Sequence, residues 1–81
     1  MATIAISLFH SSAEWEQHEM RTKWTPEHDA KHFDHLFETG LIAGLVCGCK
    51  RIDLVSRETE GNLTRFVGKV DGEKRITITI L

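Results

Sequence analysis

Thr25-Pro26 at one end and Gly40 at the other bracket a segment that has little choice but to be a helix. A threonine hydroxyl can accept one of the backbone N–H groups left without a partner at a helix start. Proline at the first helical position gives up an N–H that had no partner anyway. Glu27 and Asp29 suit the positive end of the helix dipole, and glycine suits the left-handed residue that ends a helix. The bracket therefore predicts a helix over Pro26 to Thr39, with Ala30, Phe33, Leu36 and Phe37 in one apolar stripe. A helix with a single stripe needs a second layer to cover it.

The flanking segments supply strands. Ala2 to Phe9 is short, apolar and rich in Ile; Ile52 to Glu58 alternates; Glu60-Gly61-Asn62 forms a turn before a strand over Leu63 to Val70. Asp71-Gly72 is the strongest hairpin signal and leads into a last strand, Arg75 to Leu81. A two-residue loop there would set Val70 opposite Glu73, Val67 opposite Ile76 and Leu63 opposite Ile80. Leu63, Val67, Ile76, Ile78 and Ile80 would then lie under the helices, with Thr64, Phe66, Thr77 and Thr79 on the other face.

Two segments are less determined. Ser11 and Glu14 have capping-box spacing, which predicts a helix over about Ser12 to Arg21, with Ala13, Gln17, Met20 and Trp24 on its inner face and Trp15 outward. In Leu41 to Cys49, glycines 40, 44 and 48 would cost a helix roughly 3 kcal/mol relative to alanine. A turn into a buried strand near Leu45 to Cys49 is the expectation. Taken together, the chain should form one two-layer α+β domain. Its antiparallel sheet of about four strands would carry two helices on one face, in the order β-α-α-β-β-β.

Composition narrows the functional classes. The longest apolar run, Leu41 to Cys49, is nine residues, against about 20 for a helix that spans a bilayer. The first residues lack a basic, then long apolar, secretory pattern, and two cysteines cannot build a disulfide framework; both point to the cytoplasm. Nothing resembles a phosphate-binding loop, because no Lys-Ser/Thr follows Gly40, Gly44 and Gly48. No catalytic residues and no cofactor are expected. Charge is lopsided: residues 1–40 carry three basic and seven acidic side chains, residues 41–81 seven basic and five acidic. All five histidines fall in the acidic half.

His28, His32 and His35 lie within about 60° of one another on a helix and could share a Zn²⁺. That stripe points away from Phe33 and Phe37, toward solvent, and an ordinary polar helix face is the better explanation of it. Cys47-Gly48-Cys49 could add two thiolates, but on a strand beneath the helix they would face the wrong way; buried free thiols are the ordinary reading. The basic strands, with Phe66 as a stacking platform, offer a nucleic-acid surface. The interleaved Asp53, Glu58, Glu60, Asp71 and Glu73, and a cross-strand pairing of Glu58 with Arg65, offset it.

The surface that best fits this chain is protein-binding. Trp15 sits among Glu14, Glu16, His18 and Glu19, and tryptophan is a common anchor of interfaces. With His28, His32 and His35 these residues would form an acidic, histidine-bearing helical layer that meets a partner with a basic surface. Binding should then depend on pH between about 5.5 and 7, where histidine charge changes. The expected function is a small non-catalytic adaptor or inhibitor of a larger macromolecular complex; an inhibitor encoded by a phage or mobile element would suit this size. The alternatives are a zinc-type metal binder using the histidine stripe and a nucleic-acid binder using the basic strands. An exposed β edge would also support a homodimer.

Overall fold

The computed structural model describes residues 1–10, 13–46, 51–71 and 74–81; at 10, 13–16, 45 and 46 it describes the backbone only. Strands β1 (Ala2–His10) and β2 (Ala13–Thr22) come first. Helices α1 (Pro26–Thr39) and α2 (Ile42–Val46) follow, and then β3 (Ile52–Glu60), β4 (Leu63–Val70) and β5 (Lys74–Ile80). The strands form one antiparallel sheet in the order β2-β1-β5-β4-β3. The connection from β2 to β3 must therefore travel from one edge of the sheet to the other, and α1 does so across one face. The shortest molecular extent, 20 Å, fits one sheet plus one helical layer.

The architecture is thus the expected two-layer α+β class, with five strands rather than about four and two strands before the helices. The helix expected over Ser12 to Arg21 is instead β2. Its inner partner β1 explains the outcome: Ile4, Ile6 and Leu8 face the core, and each pairs across the ladder with Met20, His18 or Glu16. A ladder of nine residue pairs outweighs the helix propensity of a glutamate-rich segment. Ser11 and Ser12, and with them the start of the capping box, lie outside the described residues.

Helix α1 has the expected ends. Thr25 Oγ1 accepts from the His28 N–H at 3.2 Å, Pro26 opens the helix, and Gly40 closes it at φ 80 while its N–H donates to the Phe37 carbonyl. Ala30, Phe33 and Leu36 are buried and Phe37 packs against the same core. Asp29, 3% exposed, accepts from the Thr22 hydroxyl at 2.5 Å, tying the first turn of α1 to the end of β2. Leu45 and Val46, expected to begin a strand, belong to the short α2, whose Ile42 and Ala43 are buried; Cys47 to Cys49 lie outside the described residues.

The β4–β5 register departs from expectation by one residue. Val70 pairs with Lys74, Gly68 with Ile76, Phe66 with Ile78 and Thr64 with Ile80. Three residues rather than two then separate the strands. Because side chains alternate, a slip of one residue exchanges the faces of β4. Phe66 goes inside, 0% exposed, with Thr64 and Val70 buried beside it, while Leu63 and Val67 turn to the open face. Asp71 holds this turn. At φ 50 it donates its N–H to the Arg51 carbonyl and accepts the Arg51 N–H on Oδ1, both at 3.0 Å. Gly68 is required by close packing: a Cβ there would stand 3.1 Å from the Asp53 carbonyl oxygen and 3.0–3.1 Å from methyls of Ile52 and Ile76.

Candidate interaction surface

The residues expected to bind a partner divide between two elements. His28, His32 and His35 are exposed along α1. Glu14, Trp15, Glu16, His18 and Glu19 belong to β2, so they join no helical layer with the histidines, and that part of the expectation is corrected. The ladder steps from Leu8↔Glu16 to Phe9↔Glu14, which leaves Trp15 as the additional residue of a β-bulge. Its indole, and the Glu14 and Glu16 side chains, lie outside the described residues.

Strand β2 is the first strand of the sheet order, and its outer edge has no neighbouring strand among the described residues. The hydrogen bonds of the next ladder fix which of its backbone groups face out. Thr3 and Leu81 exchange both bonds, Thr3 N–H to Leu81 carbonyl at 2.8 Å and the reverse at 2.9 Å. Alternation then turns the backbone groups of Thr3, Ala5 and Ser7 toward β5, and those of Ala2, Ile4, Ile6 and Leu8 toward β2. Their partners Thr22, Met20, His18 and Glu16 bond inward. The backbone N–H and C=O of Gln17, Glu19 and Arg21 consequently point away from the sheet, spaced to bond an added strand.

The two faces of this edge differ. Gln17, Glu19 and Arg21 share the open sheet face, opposite Ser7, Ala5 and Thr3, none of which is charged. His18, Met20 and Thr22 share the helix side. Helix α1 packs over β1, β3, β4 and β5. Beyond its main footprint Met20 remains 47% exposed, an unusual exposure for a long apolar side chain beside a core strand. Trp24, expected on the inner face of a helix, is 51% exposed in the bend after β2. Its ring stacks on His28 at 5.3 Å, with the Lys23 ammonium 6.0 Å from its centroid. Sequence reasoning missed Met20, Arg21 and Trp24 as surface groups. The available signal was the period-two split of residues 17–22 into His-Met-Thr and Gln-Glu-Arg.

The nucleic-acid alternative loses its stacking platform. Phe66 is buried against Phe37 (5.4 Å, stacked) and Phe33 (6.2 Å), and Arg57 caps it with the guanidinium 5.5 Å from the ring centroid. Arg57 Nε also donates to Asp34 Oδ1 at 2.7 Å, and Arg51 pairs with Asp53 at 2.7 Å. Glu58 opposes Arg65, as the sequence implied. Among the described residues no group of three or more His, Cys, Asp or Glu side chains could hold a metal ion, and the Cys47/Cys49 pair falls outside them. No described helix is long and apolar enough to cross a membrane. Comparison of the chain with protein families, curated protein sequences and solved structures returns no match.

Proposed function

We propose that the chain is a small, non-catalytic protein-binding module, of the kind used as an adaptor or inhibitor, that takes an extended protein segment alongside β2. The observation that supports this most directly is the free edge of a ten-residue strand, with three residues presenting outward backbone donors and acceptors. Long edges are a hazard that folds usually blunt or cover. Here the uncovered edge is flanked by an exposed methionine and an exposed tryptophan, the residue types that supply contact area in interfaces. Added strands gain affinity from backbone bonds and specificity from side chains on alternate faces.

Glu19→Pro tests this reading. Its N–H points outward, so proline there removes a bond to an added strand and none to β1. The variant should keep the wild-type circular dichroism spectrum and lose the protein captured by the wild-type chain from an extract of its own cell. Capture that survives Glu19→Pro but disappears with His28→Ala and His32→Ala would move the interface to α1 and end the β2 reading.

A further inference from the structure

Resting on the reading that β2 takes an extended strand, we propose that this strand is β2 of a second copy, paired antiparallel in the register centred on Met20. A two-fold axis normal to a continuous sheet pairs only residues that share a face, so it must pass beside one residue of β2. The possible centres differ sharply. Centring on Glu19 sets two carboxylates opposite each other, and centring on Arg21 does the same for two guanidiniums; like charges directly opposite are destabilising. Centring on His18 faces Glu19 with Gln17 and leaves Arg21 without a carboxylate opposite. Centring on Met20 faces Glu19 with the second copy's Arg21 and Arg21 with its Glu19, two symmetric pairs of opposite charge.

The same register satisfies the other chemistry of the edge. Glu19 and Arg21 carry outward backbone groups, so each pair exchanges both backbone bonds, four in all. Met20 bonds inward to Ile4, so Met20 meets its copy at a non-hydrogen-bonded position, where side chains approach closest. Its exposed side chain thereby gains an apolar neighbour on the helix side. Extending the pairing by two residues brings Lys23 of each copy beside Gln17, at the acidic end of the other copy's β2. The opposite edge is a poorer template: the bulge of β2 lies at Trp15 and leaves residues 16–22 in regular register, whereas the bulge of β3, between Leu54 and Ser56, falls near the middle of that strand.

Sedimentation equilibrium over a concentration series should show a reversible dimer. Glu19→Arg or Arg21→Glu alone should raise its dissociation constant by about tenfold or more, because two attractions become two repulsions. Glu19→Arg combined with Arg21→Glu should restore it. In a background of Cys47→Ser and Cys49→Ser, Met20→Cys should form an intermolecular disulfide under mild oxidation and Gln17→Cys should not. A monomer at every concentration, or a dimer indifferent to charge reversal, overturns the proposal. A monomer that captures a different protein, lost with Glu19→Pro, overturns it while the β2 reading stands. A dimer that persists in Glu19→Pro also overturns it, and capture of a different protein that likewise survives Glu19→Pro overturns both.

Discussion

Phe66 is a ring whose value depends on which side of a strand it occupies. It is stacked on Phe37, adjoins Phe33 and is capped by Arg57, all on the helix side. Phe66→Ala should therefore cost about 3–5 kcal/mol, a large part of the stability of a chain this size, read as a fall in the urea midpoint. Arg57→Ala should cost less than about 1 kcal/mol, because its pair with Asp34 is well exposed to solvent. Glycines give a contrast of sign. Gly68→Ala drives a methyl against the Asp53 carbonyl and two isoleucines, and should destabilise by about 1–3 kcal/mol. Gly44→Ala lies within α2 with nothing inside 4 Å of the new methyl, and should stabilise by about 0.5–1 kcal/mol. Thermal melts of the two variants should move in opposite directions.

Elements were legible in the sequence where local chemistry and burial agreed. Helix α1 is bounded by Thr25, Pro26 and Gly40, residues that act through their own backbone, so both ends could be read without knowing the fold. Strand β4 was legible in its extent but not in its facing. Alternation identifies two faces and leaves the choice between them to the turn; here Asp71, bonded to Arg51 twenty residues away, makes a longer turn than Asp71-Gly72 implies. Strand β2 was misread because its residues favour a helix in isolation and only the ladder with β1 makes them a strand. This account has a direct test. His18 bonds inward and Gln17 outward, so His18→Pro should lose about 1–3 kcal/mol more stability than Gln17→Pro, measured by urea unfolding. Equal losses would contradict the assignment of the free edge, on which the binding site rests.

On the scale of the whole molecule, the sheet is covered unevenly. Strands β1, β5 and β4 each have a neighbour on both sides, and their inner residues lie in the core beneath α1. Strand β2 has β1 on one side and is tied to the helical layer by the Thr22–Asp29 bond. Local opening should follow that gradient, with backbone amides of β5 exchanging slowest because they open only with the core. Within β2 the prediction is finer. At low concentration the amides of His18, Met20 and Thr22, bonded to β1, should be protected, while those of Gln17, Glu19 and Arg21 should exchange freely. Raising the concentration should then protect Glu19 and Arg21, whose N–H groups bond the second copy in the Met20-centred register. Protection confined to one strand and to every second residue cannot come from general compaction or from closure of the helical layer. Hydrogen exchange followed by NMR at two protein concentrations resolves it, and free exchange at Glu19 in a concentrated sample would leave the edge without its partner.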